Sequence, residues 1–206
     1  MQYEWYERTR QLFRMALRRG ARGTGSSAGF LDRRTAVQPM PDLTLMGTIP
    51  WVLVGGIALR AYMPEQMTQD VDILIHAQHE QAARAAFLQA GYAVTGPGAI
   101  GRFTAHPPSS MPIDVPTGTA PWLDQALAHP GRDVAAYPVL PRPYLMLLKM
   151  QAGRPQDWVD VRRMLRDTPS AERAEMRTLI GRYAPDLVED YDSLITLANW
   201  EFGLDD

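Results

Sequence analysis

Two aspartates separated by one residue, Asp70 and Asp72, stand at the start of an apolar run made of Val71, Ile73, Leu74 and Ile75. Residues two apart on a strand share a face, so the two carboxylates aim together. Neighbouring carboxylates repel and hold their protons more tightly unless a cation sits between them. Hard divalent ions such as Mg²⁺ take carboxylate oxygens and keep coordination positions for phosphate oxygens. Upstream, Gly55-Gly56 closes the apolar run Val52, Leu53, Val54 and opens a short helical stretch through Ile57, Ala58, Leu59, Ala61 and Tyr62. Glycine lets a backbone approach an anion with no Cβ in the way. A helix start also turns N–H groups and a positive dipole end toward that anion. A carboxylate-bound metal beside a phosphate cradle is the equipment of nucleotidyl transfer. A third acid, Asp114, lies in Ile113-Asp114-Val115, where an apolar setting obliges a charge to find a partner or a metal.

The elements that must position these groups follow from periodicity. Strand, glycine turn, short helix fading at Pro64, and second strand occupy the stretch from Trp51 to Ile75. An alanine-rich helix is expected over 78–90, ended by Gly91. Tyr92 to Val94 reads as a strand, and a Gly-Pro-Gly turn follows it. Arg102 to Ala105 and Met111 to Val115 read as two further strands. Pro107, Pro108 and Pro112 point to an interrupted or edge pairing between them. A helix is expected over 121–129, and a last strand over Val134 to Val139 is interrupted by Pro138. From Tyr144 to Gly181 the pattern is helical, broken into two helices by Gly153 and Pro155. Asp186 to Phe202 is the final helix, with Leu187, Tyr191, Leu194, Ile195 and Ala198 on one face. The tryptophans and methionines sit at spacings expected of core residues. The four histidines have no metal-ligand spacing.

Gly55-Gly56, then Asp70-x-Asp72, then a later lone Asp on a strand resembles the signature of the polymerase-β-like nucleotidyltransferases. Among them the chain looks most like the minimal enzymes grouped with the AbiEii abortive-infection toxins. Those carry a late K-x-x-A-x-R-x-x-D-x-x-D segment, matched here by Lys149-Met-Gln-Ala-Gly-Arg154-Pro-Gln-Asp157-Trp-Val-Asp160. The resemblance spans about Trp51 to Leu165 and implies an α/β (α+β) nucleotidyltransferase fold, a small mixed sheet flanked by helices. It implies that Asp114 shares the metal of Asp70 and Asp72 and helps deprotonate an acceptor hydroxyl. Gly55, Gly56 and Lys149 would hold nucleotide phosphates, with Asp160 supporting Lys149. The implied cofactor is Mg²⁺ or Mn²⁺, with an NTP as substrate. The implied acceptor is tRNA or another RNA, and a cognate antitoxin is an implied partner. Many relatives place Arg two residues before the Thr that precedes the D-x-D; here that place is Gln66, leaving Arg60 or Arg102 to supply a cationic contact. The usual hydroxyl beside the glycines is also missing, since Ile57 follows them.

Composition bounds the alternatives. The chain has 206 residues and a formal net charge of −2, so bulk electrostatics do not announce a nucleic-acid binder. Cysteine is missing, which excludes disulfides and thiolate metal sites. No apolar run approaches the roughly 20 residues of a membrane span, and the N-terminus lacks the apolar core of a secretory signal. A cytoplasmic protein without a membrane partner is expected. Lys149 is the only lysine against a background of arginine, a compact point charge where the rest are planar forks. Three segments are expected: an N-terminal helix and flexible linker over 1–46, a catalytic core over 47–140, and a helical part over 141–206. The N-terminal helix, over 2–19, carries Arg10, Arg14 and Arg18 on one stripe, which reads as a solvated face more readily than as an RNA contact. Two further readings stand beside the RNA-modifying one. A small-molecule nucleotidylyltransferase fits the same core and the near-neutral charge, and a non-catalytic nucleotide-binding module needs the cradle without turnover.

Overall fold

The computed structural model describes residues 40–63, 70–96, 101–108 and 111–203. The helix expected over 2–19, the linker expected after it, Gln66 and Thr68 lie outside the described residues. The chain clusters into two compact units, one of them Gln38–Leu148 and the other including Lys149–Asp206.

The first unit is built on a seven-stranded mixed sheet. Its strands are β1 (Trp51–Val54), β2 (Val71–His76), β3 (Ala93–Thr95), β4 (Arg102–His106), β5 (Ile113–Gly118), β6 (Gly131–Arg132) and β7 (Pro138–Val139), in spatial order β3-β4-β5-β2-β1-β7-β6. The centre is the parallel pair β2–β5, with β1 antiparallel to β2 on one side and β4 antiparallel to β5 on the other. Among the described residues three α-helices belong wholly to this unit: α1 (Gly55–Ala58), α2 (Glu80–Gln89) and α3 (Leu123–Ala128). Alternation sets the core. Val71, Ile73, Ile75, Phe103, Ala105, Ile113 and Val115 are buried on one side of the sheet, and Phe87 of α2 meets Phe103 edge-on at 5.9 Å. Fully burying such a side chain contributes about 1.5–3 kcal/mol.

The prolines act differently from expectation. The β4–β5 ladder runs without a break from Arg102↔Pro116 to Ala105↔Ile113, and both strands are interior. Pro107, Pro108 and Pro112 fall outside the strands, where a missing N–H removes no ladder bond. The last expected strand is also corrected. Gly131–Arg132 and Pro138–Val139 form a hairpin, and the stretch between them is a turn in which Asp133 Oδ1 accepts from Ala135 N and Tyr137 N. That turn leaves Val134 99 % exposed.

Helix α4 (Arg142–Ala152) begins in the first unit and ends in the second, which also holds α5 (Pro155–Arg166), α6 (Ser170–Tyr183) and α7 (Val188–Phe202). Gly153, at φ +64°, ends α4, and Pro155 opens α5. A second break, missed by the periodicity, separates α5 from α6 at Thr168-Pro169, because a residue before proline is pushed out of the helical region. Thr168 satisfies itself there by donating its hydroxyl to Met164 O at 2.7 Å. Helices α5 and α7 pack on each other, and Val161, Met164 and Leu165 of the one and Tyr191, Leu194 and Ala198 of the other are buried. Burial raises the Tyr191 phenol well above its ordinary value, and its hydroxyl donates to Arg173 O at 3.1 Å. Trp200 departs from the core assignment of the tryptophans, standing 71 % exposed on the last turn of α7. Among the described residues no helix is long and apolar enough to cross a membrane.

Candidate active site

One row of residues crosses the middle of the sheet. Val54 on β1 is the register partner of Asp72 on β2, Asp72 of Asp114 on β5, and Asp114 of Thr104 on β4. Asp70 precedes β2 by one residue, two before Asp72. Ligand atoms of Asp70, Asp72 and Asp114 all lie within 4.8 Å of one another. Parallel pairing of β2 with β5 in this register brings the third acid to the first two, although it follows them by more than forty positions. The three form a hard, oxygen-only donor set of the kind that suits Mg²⁺ or Mn²⁺.

Gly55 completes the arrangement. It sits at φ +64°, in the left-handed region that glycine tolerates. A Cβ at this position would collide with Asp72 Oδ2 and would stand 2.7 Å from Asp72 Cγ. The glycine therefore permits both the turn from β1 into α1 and the close approach of backbone to carboxylate. Gly56 follows in the first turn of α1, partly exposed. The helix is a single α turn that tightens into a 3₁₀ turn, Leu59–Ala61, which holds Arg60. So short a helix carries little macrodipole, and room beside the glycines is what the turn chiefly offers.

Asp114 has two named partners. Thr104 donates its hydroxyl to Asp114 Oδ1 at 2.6 Å, and Arg102 Nη2 donates to Asp114 Oδ2. The Asp114 side chain is 13 % exposed and that of Arg102 62 %. Arg102 was one of two cations the sequence offered; Thr104 was not singled out. Its signal was the alternation Arg102-Phe103-Thr104-Ala105, in which buried Phe103 and Ala105 send Arg102 and Thr104 to the opposite face.

The late motif gathers within the second unit. Lys149 Nζ donates to Asp157 Oδ1 at 3.1 Å and to Asp160 Oδ2 at 2.9 Å. All three residues are buried, at 5 %, 1 % and 2 % exposure. Arg154 closes on Asp157 from the solvent side at 2.6 Å, and Gln156 donates to Asp160 Oδ1 at 2.8 Å. Burial pushes the Asp157 carboxyl up, but Arg154 and Lys149 outweigh it and hold the group below the ordinary carboxylate range. Lys149, Asp157 and Asp160 thus form one buried ion cluster.

No protein-family model matches the chain, and no curated protein does. Among solved structures, one that it resembles is the lincosamide antibiotic adenylyltransferase LnuA with lincomycin bound. It is 17 % identical over 62 % of this chain and 92 % of that one, at a TM-score of 0.46. A solution structure of the antibiotic-resistance factor ANT(2″)-Ia is 15 % identical over 78 % and 89 %, at 0.44. A crystal structure of ANT(2″)-Ia with adenylyl-2″-tobramycin is 16 % identical over 78 % and 94 %, at 0.42. At this level of likeness none of them lends a residue role to the chain.

Proposed function

We propose that the chain transfers a nucleoside monophosphate from an NTP to an acceptor hydroxyl. The observation that carries this reading is the convergence of Asp70, Asp72 and Asp114 from two neighbouring strands to within 4.8 Å, with the Gly55 backbone against Asp72. A divalent cation held by these carboxylates would supply Lewis acidity toward the phosphate and acidify the attacking hydroxyl. The remaining work belongs to the chain. Asp114, oriented by Thr104, receives the acceptor's proton. The acceptor oxygen bonds to the α-phosphorus, the bond from that phosphorus to the β-bridging oxygen breaks, and pyrophosphate leaves. Gly55 and Gly56 keep the phosphates' approach clear of side chains.

A small-molecule acceptor is favoured over RNA. A net charge of −2 and a pI near 6.1 offer no general excess of cations to a polyphosphate backbone. Lincomycin, bound in the LnuA structure, and tobramycin, whose adenylyl-2″ form is bound in an ANT(2″)-Ia structure, are the natural first acceptors to assay. The second reading, an RNA-modifying toxin with an antitoxin partner, rests on the AbiEii-like segment Lys149 to Asp160 and on the N-terminal arginines. Each α-labelled NTP is incubated with Mg²⁺ and the protein, with a lincosamide and aminoglycoside panel or with bulk tRNA. Label on a drug is the expected result; label on tRNA moves the assignment to the second reading. Asp72→Ala is expected to remove transfer by at least about 10³-fold while the fold remains. Undiminished transfer by that variant sinks the assignment.

A further inference from the structure

We propose that Arg102 is an exchangeable counter-ion of Asp114, holding Oδ2 until a divalent cation arriving with nucleotide takes that oxygen, and then turning to the polyphosphate. This rests on the nucleotidyl-transfer reading above. The two oxygens of Asp114 are held in different ways. Oδ1 accepts the Thr104 hydroxyl at 2.6 Å, from a β-branched side chain with a stiff χ1 in the middle of β4. That contact fixes the carboxylate plane. Oδ2 is held by Arg102, whose side chain is 62 % exposed and rides on a long flexible stem. An exposed guanidinium gains little from one carboxylate and gives it up readily.

The Asp114 carboxylate also lies within 4.8 Å of ligand atoms of Asp70 and Asp72, so a divalent ion held by the three would take an Asp114 oxygen. A divalent ion and a guanidinium sharing one oxygen would repel each other, so they compete for it. Arg102 and Thr104 are two apart on β4 and lie on the face that carries the acids, so a released Arg102 stays beside the site. A planar fork pairs with phosphate oxygens in two-point fashion, which a carboxylate already bonded to Thr104 and a metal does not permit.

The test is a Mn²⁺ titration followed by electron paramagnetic resonance, without nucleotide, on wild type, Arg102→Gln, Arg102→Lys and Asp72→Asn, with a thermal melt of each. Arg102→Gln is expected to bind Mn²⁺ about three- to tenfold more tightly than wild type. In turnover assays its KM for NTP is expected to rise about tenfold, with a smaller change in kcat. Arg102→Lys, which keeps the charge and loses the fork, should restore Mn²⁺ affinity toward wild type and KM only in part. Equal or weaker Mn²⁺ binding by Arg102→Gln overturns the exchange, and an unchanged KM overturns the phosphate step. Failure of the underlying reading looks different: wild type and Arg102→Gln would both bind no more Mn²⁺ than Asp72→Asn does.

Discussion

The chain gathers aspartates in two places and gives them different company. In the sheet, Asp70, Asp72 and Asp114 face one another within 4.8 Å. In the helical unit, Asp157 and Asp160 face Lys149 at 3.1 and 2.9 Å. Gathered like charges repel and hold protons more tightly unless a cation stands among them, as the Arg102 guanidinium does at Asp114. Gathering opposite charges compensates them internally, and that group is accordingly buried to a few per cent. What a carboxylate faces, more than its presence, decides whether it is available for chemistry.

The contrast can be broken first at Lys149. Lys149→Met leaves Asp157 and Asp160 buried without their shared ammonium, and should cost about 3–5 kcal/mol in denaturant unfolding. Combining it with Asp157→Leu and Asp160→Leu should recover most of that loss, because apolar groups of similar size need no counter-charge. A loss below about 1 kcal/mol for the single variant would mean that the cluster is not internally balanced.

At the sheet, Gly55→Ala places a Cβ against Asp72 and strains a residue at φ +64°. Nucleotidyl transfer should fall about 100-fold through a displaced carboxylate, with a smaller change in stability. Full activity in Gly55→Ala would show that the close approach is incidental.

The smallest effect concerns acid. Asp157 is held below its ordinary range in the folded chain, so it binds protons less readily folded than unfolded. Its contribution is complete above the unfolded value and is lost as pH falls below about 4 toward the depressed one. Melting temperature followed downward through that range should drop more steeply for wild type than for Asp157→Asn. Parallel curves would remove Asp157 from the acid response.

Much of this was legible in order along the chain. The β1–α1–β2 unit and the final helix were read within a residue or two, because long apolar runs and glycine stops are local signals. The D-x-D pair announced its shared face through period two alone. Less legible was whatever depended on which strand lies beside which. Pro107, Pro108 and Pro112 argue for an interrupted or edge pairing, yet β4 and β5 are interior: those three prolines lie outside the ladder, and the one inside it, Pro116, still holds its register opposite Arg102. Thr104 passed unnoticed because a threonine gains meaning only once its register partner is Asp114. The break at Thr168-Pro169 lay inside a pattern whose apolar spacing continued across it.

By itself, then, the sequence determined residue chemistry and local form: acids two apart, glycines where Cβ is unwelcome, a single lysine followed by two aspartates at near-helical spacing. Only the tertiary structure decided who meets whom. Parallel pairing of β2 with β5 brought Asp114 to Asp72, antiparallel pairing brought Thr104 and Arg102 to Asp114, and the bend at Gly153 turned Asp157 and Asp160 onto Lys149. Strand register and helix packing are set by the burial of whole faces, a sum over many residues that no single motif contains.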